Sequence, residues 1–172
     1  MREIPGIPYT FQDPAILRLA LSHRSTGSLN NERLEFLGDS ILNFVVSATL
    51  FDLKSDSSEG DLTRLRARVV RGDTLAQLAA DLKLGDYIKL GEGELKSGGF
   101  KRDSILANTL EAIFGAVYLD GGFEPAAKVV RHICDPFIAM LPDAEELKDP
   151  KTRLQEWLQG KGFALPEYNV LS

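Results

Sequence analysis

Residues 31–53 constrain the fold more than any other stretch of this chain. Leu34, Leu37, Ile41, Phe44, Val45 and Ala48 recur at helical spacing and make one broad apolar face, while Phe36, Leu42, Val46 and Leu50 add apolar surface on the other sides. A helix apolar nearly all round is a central, buried one. Yet the same helix carries Glu32, Glu35 and Asp39, three and four residues apart. At ~100° per residue these acids fall within about 60° of one another. An unpaired charge on a buried helix costs roughly several kcal/mol, or its pKa moves until it is neutral. A bound divalent cation would compensate the stripe. The alternative is a solvated acidic first turn favoured by the helix dipole, which suits Glu32 better than Asp39, two turns further in.

A second helix, expected over 102–120, repeats the design. Asn108 and Glu111 share a face, Leu106, Leu110, Ile113 and Val117 lie opposite, and the small Ala112 and Gly115 sit near the polar pair. Small residues let another helix approach closely; equally, the pair belongs to an ordinary exposed face with a packing glycine. If the two helices face each other, Glu35, Asp39, Asn108 and Glu111 supply four oxygen ligands. That set suits Mg²⁺ completed by water and substrate phosphate.

Helical spacing runs through most of the remaining chain. A first helix is expected over 14–23, with Asp13 as cap and Pro14 at the first helical position. Another follows Ser58, whose partner Asp61 three residues on makes an acidic capping signal, and ends near Arg71. Asp73 is expected to cap a further helix ending near Gly85. Residues 86–99 read as a glycine-rich loop with a short extended piece over 87–90. Helices are expected over 124–140 and 150–160, the acidic segment 141–149 reads as a linker, and the closing PEYNVLS reads as the start of a strand. The main domain is therefore expected to be all-α.

Composition narrows the function classes. The 172 residues suffice for one full domain and part of a second. A single cysteine, Cys134, excludes an intrachain disulfide framework and a cysteine-based zinc site, and it reads as packing. The two histidines, His23 and His132, lie far apart and outside the acidic motifs, so any hard-cation site must be built from oxygens. Apolar runs are short and interrupted, and MREIPGIPYTF lacks a signal-peptide core, so a soluble, cytoplasmic protein without a membrane span is expected. A net charge of −5 with a pI near 5.1 argues, taken alone, against a nucleic-acid partner. Locally, however, Arg64, Arg68 and Arg71 form one stripe, and Lys96, Lys101 and Arg102 surround the glycine-rich loop.

Five segments in order and spacing resemble bacterial ribonuclease III: LALSHRS (19–25), NERLEFLGDSIL (31–42), EGDLTRLRARVVRGDTLA (59–76), GELKSGGFKRDSILAN (93–108) and EAIFGAVYLDGG (111–122). The resemblance implies an all-helical, homodimeric endonuclease domain over 1–145. It implies Mg²⁺-dependent hydrolysis of double-stranded RNA, with Mn²⁺ able to substitute, leaving 5′-phosphate and 3′-hydroxyl ends with short 3′ overhangs. Glu35, Asp39, Asn108 and Glu111 fall on the family's metal ligands, Asp39 and Glu111 being the most critical for catalysis. Glu32 falls on a further acid near the RNA valley, and Phe36 on an aromatic that inserts into the partner subunit. On residue type alone, Phe36 would be core. The resemblance also favours phosphate contacts for Arg64, Arg68, Arg71 and Lys96 over a merely solubilising face.

Two departures qualify this. Most family members carry aspartate where this chain has Asn108, which keeps a carbonyl oxygen but not the charge. The expected consequence is weaker Mg²⁺ binding; the rival outcome is a fold that grips duplex RNA without cutting it. In addition, KDPKTRLQEWLQGKG (148–162) resembles only the first helix of a double-stranded-RNA-binding domain. Residues 146–172 would then be a linker and the start of that domain. Thr152, Gln155 and Glu156 fall where such a helix meets the RNA minor groove; because a lone helix and part of a strand cannot bury a core, the favoured reading of this tail is a loosely held remnant.

Overall fold

The computed structural model describes residues 1–142, 150–164 and 166, and only the backbone of residues 150 and 152. Its elements are α1 (Pro14–Ala20), α2 (Glu32–Leu53), α3 (Glu59–Val69), α4 (Gly72–Asp81), α5 (Glu92–Lys96), α6 (Asp103–Gly121), α7 (Phe123–Ile138) and α8 (Pro150–Gly160), with short 3₁₀ turns between some of them. Among the described residues the fold is all-helical, and the one extended pairing is an isolated parallel bridge between Ser22 and Lys89. The acidic linker at 143–149, the closing strand segment at 167–172 and the Thr152 side chain lie outside the described residues.

Local chemistry sets most boundaries. Asp13 caps α1 by accepting from the Ala15 amide, with Pro14 in the first turn. The helix ends at Ala20, three residues before the expected end. Beyond it the backbone is engaged elsewhere: Lys89 donates to the Leu21 carbonyl at 2.8 Å and His23 donates to the Lys89 carbonyl at 3.0 Å. Ser58 and Asp61 form a complete capping box at the start of α3. Asp73 does not cap α4; Arg71 holds the cap position, and Asp73 sits in the first turn, bonded to the Arg71 guanidinium and the Thr74 amide. α4 stops at Asp81, short of Gly85, because Lys83 turns left-handed at φ 54°. The loop expected over 86–99 contains α5, while its extended piece survives as the bridge at Lys89.

The helix surrounded on all sides is α6, not α2. Ile105, Leu106, Ala107, Thr109, Leu110 and the unbroken run 112–117 of α6 are buried, and it packs against α1, α2, α4 and α7. α2 buries one face, formed by Leu34, Gly38, Ile41, Leu42, Val45, Val46 and Leu50. The opposite face exposes Phe36 (78%), Phe44 (62%) and Phe51 (70%), so Phe44, expected in the core, is outside it. In length and mean hydropathy α2 also meets the composition of a membrane span. Its packing against α3, α6 and α7 accounts for much of that apolar character. Cys134 is fully buried, as packing requires.

α2 and α6 meet backbone to backbone at two glycines. A Cβ on Gly38 would lie 1.8 Å from the Glu111 carbonyl oxygen, and one on Gly115 would lie 2.3 Å from the Leu34 carbonyl oxygen. No side chain fits either place without moving a helix. The far end of α6 is fixed by Asp120, whose carboxylate accepts from the Tyr9 hydroxyl at 2.8 Å, the Gln12 amide at 2.7 Å and the Asp13 amide at 2.9 Å.

The crossing predicts a large cost for a single methyl group. Gly38→Ala should destabilise the protein by about 3 kcal/mol, at the upper end of overpacking effects, and lower the Tm by roughly 10 °C. An unchanged thermal melt would show that the helices do not approach this closely.

Candidate metal centre

The glycine crossing places the acids of α2 beside those of α6. Glu32, Glu35 and Asp39 from α2 and Asn108 and Glu111 from α6 line one cavity of about 580 Å³. All four expected ligands are therefore brought together. Asp39 is steadied by Asn43 one turn on, whose side-chain amide donates to the Asp39 carboxylate and to its carbonyl, each at 2.9 Å. The Asn108 side chain faces the Glu35 carboxylate and favours its charged form.

The charges in this cavity are poorly compensated. Among the described residues, Glu35, Asp39 and Glu111 have no ion-pair partner; the nearby Arg24 pairs with Glu32 at 3.8 Å. Burial pushes the Glu111 carboxyl up to about 7, and the Asp39 and Glu35 carboxylates add to the shift. Burial also raises Glu35, opposed by the Asn108 side chain. The donor set is hard oxygen throughout, which fits Mg²⁺ or Mn²⁺. No three carboxylate, imidazole or thiol groups among the described residues close into a ready-made cage. Mg²⁺ does not require one, since it retains waters and commonly takes one or two carboxylates plus substrate phosphate.

The remaining expected contacts are spread out. Phe36 lines the rim of the cavity and is exposed, so the core reading based on residue type does not hold. Arg64, Arg68 and Arg71 line a separate depression of about 380 Å³. Two of them are already paired, Arg64 with Asp61 at 2.7 Å and Arg71 with Asp73. Lys96 is exposed and lies 3.8 Å from Glu92. On α8, Glu156 is exposed and Gln155 half-buried, while Leu154 and Trp157 are exposed.

Sequence reasoning missed four kinds of lining residue: His23, Arg24, Asn31, and the pair Ser104 and Ile105. His23 and Arg24 had a signal, because they belong to the LALSHRS segment. Their distance in sequence from the acids hid it. Asn31 is buried and donates to the Ala20 carbonyl at 3.2 Å, tying the start of α2 to the end of α1.

Comparison with known proteins agrees with this geometry. The family model described as Ribonuclease-III-like matches residues 13–136. The ribonuclease 3 of Thiobacillus denitrificans is 57% identical over 166 residues, covering 96% of this chain and 74% of that protein. The ribonuclease 3 of Dechloromonas aromatica is 55% identical over 163 residues, covering 95% and 73%. A solved structure of the nuclease domain of ribonuclease III from Campylobacter jejuni superposes with a TM-score of 0.75 at 41% identity, covering 78% of this chain and 97% of that one. With the acids of two crossing helices gathered in one cavity and close relatives matching most of its length, the chain belongs to the ribonuclease III family of endoribonucleases.

Proposed function

We propose that this endoribonuclease hydrolyses phosphodiesters in double-stranded RNA with Mg²⁺, leaving 5′-phosphate and 3′-hydroxyl ends with short 3′ overhangs. Its substrates on this reading are structured RNAs such as ribosomal precursors, and its compartment is the cytoplasm. Family membership implies a divalent cation in general terms. The observation that carries the reading is the cavity of Glu35, Asp39 and Glu111, whose charges lack ion-pair partners among the described residues. Four acids around a cavity would repel a phosphate unless a cation stood between them.

Glu35, Asp39, Asn108 and Glu111 would hold the cation, with Mn²⁺ as a chemically acceptable replacement. When bound there, it supplies Lewis-acid stabilisation of charge on the phosphoryl oxygens. The chain's own work is orientation. Asn43 fixes the Asp39 carboxylate, Asn108 faces Glu35, and the α2–α6 crossing sets the distance between the two pairs. Asp39 and Glu111 are the expected catalytic ligands, and Glu32, held by Arg24, faces the incoming RNA. Arg64, Arg68, Arg71 and Lys96 would meet phosphates further along the duplex. Thr152, Gln155 and Glu156 would meet the minor groove.

The active form on this reading is a homodimer. Phe36, Phe44 and Phe51 lie within about 80° of one another on the exposed side of α2, and Phe123 packs edge-on against Phe44 at 5.6 Å. This apolar stripe begins at the cavity rim with Phe36, so a partner helix covering it would complete each site. The solved Campylobacter jejuni domain is described as having a region involved in dimer formation.

Three outcomes are expected. Purified protein should cut a long RNA duplex only with Mg²⁺, and Glu111→Gln should abolish cutting; a mobility shift without cutting would replace this reading with that of a duplex-binding module. Asn108→Asp should cut at lower Mg²⁺ than the chain with Asn108, and identical Mg²⁺ dependence would remove Asn108 from the ligand set. The third outcome concerns the metal-free protein. Because the folded Glu111 pKa, about 7, lies above its ordinary 4.5, its protonated form favours the fold below about pH 4.5, and that contribution is lost as pH rises through 7. Discounted for partial solvent exposure, ionisation costs about 1–2 kcal/mol. Glu111→Gln should therefore melt several degrees above the natural chain at pH 8 without metal and alongside it at pH 4.5. Equal melts at both pH values would contradict this.

A further inference from the structure

We propose that His23 is a further substrate-binding residue of this site, its Nε2–H donating a hydrogen bond to a phosphate oxygen of the RNA strand seated in the acid cavity. The inference rests on the reading of that cavity as the cleavage site. His23 lines the cavity together with the four expected ligands. Its Nδ1 is already engaged with Ser25, whose amide N–H donates to it at 3.2 Å and whose hydroxyl lies 2.9 Å from it. An amide N–H has only a proton to offer, so Nδ1 carries the lone pair and the ring proton sits on Nε2. Among the described residues Nε2 has no hydrogen-bond partner.

The ring is held by the pairing of two segments, residues 22–25 and 89–91. Ser25 Oγ accepts from the Gly91 amide at 2.8 Å, so its own proton is free to point at Nδ1. The His23 amide donates to the Lys89 carbonyl at 3.0 Å. The backbone bridge at Ser22 and Lys89 fixes the chain just before the ring. Burial, the largest influence on the ring, lowers its pKa and keeps it neutral, in agreement with this tautomer.

A polyanion entering an acidic cavity needs donors as well as a cation, and most donors in this lining are already engaged. The Asn31 amide serves the Ala20 carbonyl, Asn108 faces the Glu35 carboxylate, and Arg24 is paired with Glu32. The His23 Nε2–H is a neutral donor that is both pre-oriented and uncommitted. A neutral donor also leaves the charge balance between acids and cation undisturbed.

Two substitutions separate this role from a local structural one. Gln places an amide N–H near the position of Nε2, whereas Asn places an acceptor near Nδ1, able to keep the bond from the Ser25 amide, and removes the distal donor. Steady-state cleavage of an RNA duplex by the whole protein should show His23→Gln within about threefold of the natural chain. His23→Asn and His23→Ala should raise KM roughly 10- to 100-fold, the range of a hydrogen bond to a charged group, with kcat less affected. Melting temperatures of the Gln and Asn variants within a few degrees of the natural chain are expected alongside. If Asn is active and Gln is not, or if all three variants cut normally, the inference is overturned. Full activity of Glu111→Gln in the same assay would instead overturn the reading of the cavity itself, a separable result.

Discussion

The contact between Gly38 and Gly115 governs the rest of this structure. Helices with ordinary side chains at their crossing sit roughly 8–10 Å apart. Here each missing Cβ brings backbone against backbone, with the Glu111 carbonyl where a Gly38 methyl would be. The residues flanking the two glycines are the proposed cation ligands: Glu35 and Asp39 on either side of Gly38, and Glu111 one turn before Gly115. Packing and chemistry thus share one short segment of each helix. The apolar residues that hold the crossing, Leu34, Ile41, Leu110 and Ile113 among them, are buried on the faces that carry no acids.

That arrangement has an electrostatic cost. Carboxylates close together and partly removed from water raise one another's pKa, and Glu111 bears the largest part of it. Proteins place such tension where a ligand relieves it. A divalent cation would do so, and it would also turn a cavity hostile to phosphate into one that attracts it. Asn108 softens the tension by replacing one negative charge with an amide facing Glu35. The same substitution is expected to loosen the hold on the cation, so stability without metal and affinity for metal are set against each other at this residue.

Much of this was legible in the sequence, and the failures share a cause. The acids of α2 and the Asn108–Glu111 pair were visible because helical periodicity is a local property, and Gly115 was visible as a small residue beside them. Gly38, the other half of the crossing, stood inside the most recognisable motif and passed unremarked. Helical spacing places Phe44 in the core, because an apolar residue on a helical stripe usually is buried. Only the positions of α6 and α7 show that this side of α2 is left open. α1 ended early and residues 92–96 became α5 because residues 21–25 pair with residues 89–91, a contact between segments more than sixty residues apart. The same contact delivers His23 to the cavity. What a residue does within one helix could be read from the chain; what one segment imposes on another could not.

The central claim is that the α2–α6 crossing assembles a single divalent-cation site from Glu35, Asp39, Asn108 and Glu111. Anomalous diffraction from crystals of this protein grown with Mn²⁺ tests it most directly. The account predicts one strong anomalous peak per chain, bounded by oxygens of these four side chains. A peak elsewhere on the surface, or none in this cavity at saturating Mn²⁺, would contradict it.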